Sequence, residues 1–398
     1  MKLGLETVEK RPETLAGLGR IGLVTNQAAT TRDFKASAEV VETACRTLQE
    51  SGHATAPTLS CVFGPQHGYG QTEQDNMVET PDDVVRLPSG RVVPLVSLYS
   101  RTRVPTPEQL TGVDTLVVDL CDVGCRVYTY MLTLAGCLRA AAPLGKKVVV
   151  LDRPNPLGLS LKRKDGRFAR VEGDVLNLKW HSFVGWYGIP MRHGLSMGEL
   201  GKLFVRLDGL DVDLRIVEVE GLTRTLAPAQ LRENAWTLPS PNLPTWDSAY
   251  LFPSFVSLEG TNVSEGRGTT LPFQIVGAPY MDADGVREDL MHIARHHAGD
   301  ASACISGVTL RRHDFRPVFN KHAREWCRGL QFHPTPENDD AHNAFALGIW
   351  FLASVASRHK AAFDWKAPGY EYNFTDPPLN LIYGNETWLA HFESLRAR

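Results

Sequence analysis

Between Leu258 and Thr270 the chain sets two carboxylates (Glu259, Glu265), a guanidinium (Arg267), an amide (Asn262) and four hydroxyls among three glycines. Buried polar groups must all find partners, so a core segment would not be composed this way. Glycines lack Cβ and let backbone N–H groups approach a ligand closely. The stretch reads as a loop that holds a polar, many-hydroxyl ligand, or else as a turn network that satisfies itself.

Other stretches carry similar chemistry. Gly64-Pro65-Gln66-His67-Gly68-Tyr69-Gly70 bends sharply around an imidazole and an amide. His67 could serve as a general acid, a metal ligand or a hydrogen-bond donor, or be a structural histidine. Glu73, Asp75, Asn76 and Glu79 follow on what reads as a lid loop. Asp122, Arg126, Tyr128 and Tyr130 place an acid, a guanidinium and two phenols within nine residues. Arg126 either clamps a carboxylate in bidentate fashion or pairs with Asp122. Asp152-Arg153-Pro154-Asn155-Pro156 is stiffened by two prolines. Glu172 has small or apolar neighbours, a setting that raises a carboxyl toward general-acid range, unless it is a surface loop residue. Pro239 to Thr245, with Asn242, is another rigid polar loop.

Hydroxyl, amide, acid and aromatic groups together suit a sugar pocket, and Trp180, Trp186, Tyr187 and Trp246 are candidates to stack on a pyranose. Glycoside cleavage usually needs two carboxyl groups flanking the bond. Glu172, Glu259, Glu265, Glu73 and Glu79 supply candidates.

Short apolar runs alternate with amphipathic stretches through the first half. Strands are expected at 20–25, 59–63, 115–120 and 147–151, with helices at 36–48 and 130–142. Such alternation implies a parallel sheet with helices on both faces. Asn26, Gln66, His67, Asp122, Arg126, Asp152, Arg153 and Asn155 then fall at carboxyl ends of strands, where open α/β sheets bind ligands. Ser196 to Glu199 is a capping box opening a helix, and 214–219 reads as a strand. Trp236 to Pro253, rich in Pro, Asn, Ser and Trp, reads as loop. Beyond Thr270 a strand is expected at 273–276, a helix at 286–297, a strand at 306–310 and a long helix at 340–356. The expected fold is α/β. A Rossmann-like, mostly parallel sheet domain spans 1–269, and a smaller α+β C-terminal domain spans 270–398 and closes the cleft.

The chain has 398 residues, 43% hydrophobic, which suffices for a large core. Its net charge of −3, with both signs interspersed, argues against a nucleic-acid surface. No apolar run approaches the roughly 20 residues of a membrane span. The N-terminus lacks the apolar region of a signal peptide, so a cytoplasmic location is expected. Seven scattered cysteines fit reduced thiols better than a zinc site. Neither a dinucleotide fingerprint nor a phosphate-binding loop occurs, which argues against a nucleotide-dependent enzyme. No cofactor and no metal are expected.

Several motifs occur in a telling order. They are Gly22-Leu23-Val24-Thr25-Asn26-Gln27, the Pro65-His67-Gly68 turn, Asp122-Val123-Gly124 with Arg126 to Tyr130, and Asp152 to Pro156. Val171-Glu172-Gly173, Pro190-Met191-Arg192-His193-Gly194, Pro239 to Thr245 and Glu259-Gly260-Thr261-Asn262 follow. The chain resembles the NamZ-type exo-β-N-acetylmuramidases, densely over 22–277 and loosely beyond. The resemblance implies a Rossmann-like catalytic domain, a smaller C-terminal domain and a cleft between them. It implies release of N-acetylmuramic acid from the non-reducing end of peptidoglycan fragments, without metal or nucleotide. A small carbohydrate is then the expected partner. The lactyl carboxylate of that sugar suits Arg126, Arg192 or Arg267.

In that family the turn usually reads Pro-Glu-His-Gly, whereas Gln66 stands here, and an amide cannot exchange a proton as a carboxyl does. Glu172 matches the family's other catalytic candidate. The expected catalytic set is Glu172, Glu265 and His67. The expected substrate-binding set is Asn26, Gln66, Glu73, Asp122, Arg126, Tyr128, Tyr130, Asp152, Arg153, Asn155, Arg192, His193, Asn242, Glu259, Asn262 and Arg267. Three consequences of Gln66 stay open: another acid such as Glu73 or Glu265 substitutes, the chain binds sugar without cleaving it, or it acts on a different glycoside.

Overall fold

The computed structural model describes residues 1–232, 236–296, 304–335 and 342–397. In chain order the strands are β1 (Arg20–Val24), β2 (Thr58–Gly64), β3 (Asp83–Arg86), β4 (Val92–Ser97), β5 (Thr115–Val118) and β6 (Lys147–Leu151). Then come β7 (Leu161–Lys162), β8 (Phe168–Ala169), β9 (Leu214–Val217), β10 (Ile275–Ala278), β11 (Val308–Arg312) and β12 (Arg328–Pro334).

Seven strands form one sheet in the order β3-β4-β2-β1-β5-β6-β9. Every pair is parallel except β3 with β4. Successive strand residues point to opposite faces, and the core divides accordingly. Ile21, Leu23, Val117, Val149 and Leu151 pack against the helices Gly4–Lys10 and Ser37–Glu50. Val24, Leu116, Val118, Val148 and Val150 pack against Tyr130–Ala141 and Met197–Asp208. Both faces are covered, which is why these strands read as continuous apolar runs.

A second, antiparallel sheet has the order β10-β12-β11. Helices Ala283–His296 and Trp246–Phe255 pack on it, and Ala344–Arg358 packs on those two helices. One apolar cluster runs from Val118 of the large sheet to Phe332 of the small one, so the two sheets share an interior.

The capping box at Ser196 forms as its spacing predicts: the Ser196 hydroxyl accepts from Glu199 N and the Glu199 carboxylate accepts from Ser196 N. The segment 236–253 departs from the loop predicted for it. Trp246–Phe255 is a helix, capped by the Thr245 hydroxyl, which accepts from Ser248 N. Nine of its ten residues are buried, and that packing outweighs Pro253 in its last turn. The sequence reading also passed over β3, β4, β12 and the helices Pro378–Tyr383 and Thr387–Ala397. His297 and Asp340, at the ends of two expected helices, lie outside the described residues. No described helix is long and apolar enough to cross a membrane.

Candidate functional site

Beyond the carboxyl ends of β2 and β5 lies a small cavity. The turn after β2 brings Gln66 and His67 to it, and the segment after β5 brings Tyr128, Thr129 and Tyr130. The 239–245 loop adds Ser240 and Asn242, and the 3-10 helix Val256–Gly260 adds Glu259. Arg267 reaches it from between Gly266 and Gly268, both at positive φ (82° and 80°). A Cβ on either glycine would collide with the carbonyl oxygens of Ile275 and Phe319. Here glycine is required because the backbone packs against backbone.

The last wall comes from residues that the sequence reading did not select, Tyr370 and Glu371. They sit on a tight turn where Tyr370 and Asn373 exchange backbone hydrogen bonds of 3.0 Å. Glu371 (φ 45°) and Tyr372 (φ 65°) are both left-handed. That conformation costs a non-glycine residue about 1 kcal/mol or more, so the surrounding structure must enforce it. A signal existed: Tyr370-Glu371-Tyr372 sets an acid between two phenols after a glycine.

Two carboxyl groups therefore face one cavity in unlike settings. Glu259 Oε1 pairs with Arg267 Nη2 at 2.6 Å, while its Oε2 accepts from Asn76 Nδ2 (3.0 Å) and the Tyr370 hydroxyl (2.8 Å). Among the described residues no cation is in hydrogen-bond contact with Glu371. Its Oε2 accepts from the Tyr99 hydroxyl at 3.0 Å and its Oε1 from Gln66 Nε2 at 3.4 Å. Burial and the nearby charge of Glu259 push the Glu371 carboxyl up to about 7, outweighing the hydrogen bonds and the more distant Arg267. The Gln66 amide is itself fixed, with Oε1 accepting from the Thr129 hydroxyl at 2.6 Å.

His67 is held neutral. Burial pushes it down to about 4, with Arg267 adding to the effect. Its Nδ1 donates to the Glu73 carbonyl at 2.8 Å, since a carbonyl can only accept, and Nε2 is then an acceptor. Arg267 Nη1 also pairs with Glu265 Oε1 at 3.3 Å. Burial alone would raise the Glu265 carboxyl, but Lys321 (Nζ at 2.7 Å) and Arg267 hold it below the ordinary range. The Arg267 Nε–H finds no acceptor among the described residues.

The cavity gathers Gln66, His67, Tyr128, Tyr130, Asn242, Glu259 and Arg267 from the predicted set. Glu265 stands behind Arg267, and Glu73 contributes its backbone carbonyl to His67. The remainder lie off this cavity. Asn26 Nδ2 donates to the Tyr130 hydroxyl at 2.8 Å. Asp122 Oδ2 accepts from Gly124 N at 2.7 Å and faces His193 Nε2 at 3.3 Å. Asp152 accepts from Gly198 N and Ser196 Oγ at the start of a helix. Arg153 makes a two-toothed pair with Asp119, and Asn155 accepts from Leu157 N. Asn262 bonds the 362–364 segment and Tyr280.

Arg126 is fully buried and donates to four backbone carbonyls, those of Asp174, Ile189, Ile382 and Tyr383. Glu172 Oε1 pairs with Arg192 Nη1 at 2.5 Å and its Oε2 accepts from Phe345 N at 3.3 Å. Neither Glu172 nor Arg192 is among the residues lining the cavity. Trp180, Trp186, Tyr187 and Trp246 also lie off it, and its aromatic walls are Tyr128, Tyr130, Phe252, Phe273 and Tyr370. Among the described residues no group of three or more His, Cys, Asp or Glu is placed to hold a metal ion.

The N-terminal profile of the exo-beta-N-acetylmuramidase NamZ family matches residues 21–247, and its C-terminal profile matches 250–396. The chain belongs to the NamZ family. The peptidoglycan beta-N-acetylmuramidase NamZ of Bacillus subtilis (strain 168) is 35% identical over 351 residues, covering 88% of this chain and 76% of that protein. A solved DUF1343 family protein from Bacteroides fragilis superposes with a TM-score of 0.77 at 25% identity, covering 99% of this chain and 92% of its own. A second from the same organism gives 0.66 at 24% identity, covering 100% and 90%, and shares the fold.

The two titrating groups of this NamZ cavity oppose each other in stability. Glu371, raised when folded, stabilises most below pH 4.5 and loses that contribution as pH rises toward 7. His67, lowered when folded, stabilises above pH 6.5 and loses its contribution as pH falls toward 4. The expected result is a nearly level stability from this pair across pH 4.5–6.5. Glu371→Gln removes one slope. The stability difference between wild type and this variant should fall by roughly 3 kcal/mol from pH 4.5 to 7. Urea titrations across that range measure it, and a pH-independent difference would refute the raised carboxyl.

Proposed function

We propose that this chain is an exo-acting glycosidase that releases N-acetylmuramic acid from the non-reducing end of peptidoglycan-derived fragments. The observation that carries the reading is the pair of buried carboxyl groups, Glu259 and Glu371, in unlike surroundings on one cavity. Glycosidases divide acid and charge-stabilising roles between two carboxyl groups in this way. Family membership supplies the sugar.

Muramic acid carries a lactyl carboxylate. Arg267, which lines the cavity, supports its recognition better than Arg126 or Arg192, which do not line it and whose guanidinium groups bond carbonyl oxygens and Glu172. Gln66, His67, Tyr128 and Asn242 would meet the sugar's hydroxyl and acetamido groups. Glu265 and Lys321 would keep Arg267 in place. We take the 1–269 part as carrying most of these groups and the 270–398 part as closing the cavity with Tyr370 and Glu371. All seven cysteines are free thiols, which supports a reducing, cytoplasmic setting and turnover of imported wall fragments.

The test is product formation from para-nitrophenyl N-acetyl-β-muramic acid beside the matching N-acetylglucosaminide. Cleavage of the muramide alone is expected. Saturable muramide binding without cleavage would replace the enzyme by a sugar-binding protein, and preferential cleavage of the glucosaminide would replace the substrate.

A further inference from the structure

Resting on the muramidase reading, we infer that Glu371 is the general acid of this enzyme, held in place by Tyr99 and Gln66. Four observations carry it. The carboxyl lines the cavity yet belongs to a residue only 4% exposed. Both of its oxygens are gripped by neutral donors, Tyr99 Oη at 3.0 Å and Gln66 Nε2 at 3.4 Å, and among the described residues no cation lies at hydrogen-bond distance to compete for its proton. The Gln66 amide cannot turn away, because Tyr99 Oη accepts from Nε2 at 3.1 Å and Thr129 donates to Oε1 at 2.6 Å. The other carboxyl on the cavity, Glu259, is instead tied to a cation, Arg267, at 2.6 Å.

The position of Gln66 gains a meaning from this. An acidic side chain there would set a second carboxyl 3.4 Å or so from Glu371, and the two would share one proton. An amide instead donates to Glu371 and leaves the proton on it alone.

In the step, the Glu371 proton passes to the glycosidic oxygen as the C1–O bond breaks and its electron pair stays on that oxygen. The leaving sugar departs as an alcohol and Glu371 becomes a carboxylate. A water oxygen bonds to C1, and the proton that water loses returns to Glu371. Besides burial, the groups that set its titration are Glu259, Tyr99, Gln66 and Arg267, with Tyr370 bonded to Glu259 and Arg103 stacked on Tyr99 at 4.4 Å and on Tyr372 at 4.3 Å.

Leaving-group dependence separates an acid from a structural residue. A nitrophenolate leaves without protonation, whereas a sugar alkoxide does not. Glu371→Gln should lose about 10³-fold in kcat/KM on N-acetylmuramyl-N-acetylglucosamine and less than about tenfold on the para-nitrophenyl muramide. The wild-type profile on the disaccharide should show an alkaline limb near pH 7 that the variant lacks. Tyr99→Phe keeps the ring but removes a donor that favours the charged form, so it should move that limb upward. If Glu371→Gln does not fold, the shift in Tyr99→Phe decides alone. Equal losses on both substrates, an unmoved limb, or leaving-group dependence appearing in Glu172→Gln instead would overturn the assignment. A wild type inactive on both muramides would sink the functional reading and this one with it. An active wild type with a leaving-group-blind Glu371→Gln would sink this one only.

Discussion

Arg267→Met should be both destabilising and nearly inactive. Its guanidinium pairs with Glu259 at 2.6 Å and Glu265 at 3.3 Å, and its side chain is 9% exposed. Removing one partner of a buried pair leaves an uncompensated charge and costs about 3–5 kcal/mol. Lys321, at 2.7 Å, still compensates Glu265, so the damage concentrates on Glu259. The sign with pH follows from the same charges. Arg267 lowers both the Glu265 and Glu371 carboxyls, so its loss lets the folded state bind protons more tightly. The variant should therefore lose more stability at pH 8 than at pH 5. Hydrolysis should fall by at least about 10²-fold even at pH 5, because the lactyl carboxylate loses its cation and Glu259 its restraint. Urea denaturation at the two pH values, with kinetics on the folded fraction, measures this. A loss below about 1 kcal/mol at both would refute the pairing.

The second large effect is expected at Arg126, for a different reason. Its four hydrogen bonds tie the carbonyls of Asp174 and Ile189 to those of Ile382 and Tyr383, at 2.7–2.9 Å. These segments are some two hundred residues apart in the chain, and the guanidinium joins the loops at Asp174 and Ile189 to the helix Pro378–Tyr383. Hydrogen bonds to a charged donor contribute about 1.5–3 kcal/mol each, and unsatisfied buried carbonyls add their own cost. Arg126→Met should lose about 5 kcal/mol or fail to fold. Arg126→Lys should recover part of this, since an ammonium cannot reach both carbonyl pairs with the geometry of the fork. KM for the muramide should stay unchanged in Arg126→Lys at temperatures where it is folded. A selective rise in that KM would restore Arg126 as the clamp for the lactyl carboxylate.

How much of this could be read without coordinates differs by kind of information. Strands β1, β2, β5 and β6 announced themselves because both faces of the sheet are covered there and each strand is largely apolar. The ligand end followed from chemistry alone, as polar residues cluster where those strands stop. The helix Trp246–Phe255 did not announce itself. Its proline and hydroxyls speak for a loop, and only burial on nearly every side overrules them.

The candidate site shows the same division more sharply. The residue types at 64–70, 122–130 and 258–270 identified segments that meet at one cavity, and the resemblance they carry identified the family. Which side chains face the cavity was a matter of long-range partners. Arg126 and Glu172 look like ligand-binding and acidic groups in their local setting, and each is claimed by a distant element, Ile382 and Tyr383 for one and Phe345 for the other. Glu371 lies 305 residues from Gln66, and its raised carboxyl exists only because folding buries it beside Glu259. Composition and periodicity are local, so the sequence by itself determined the sheet, its ligand edge and the sugar chemistry. Desolvation and charge pairing depend on what folding brings within a few ångströms, so the tertiary structure alone decided which carboxyl can keep a proton.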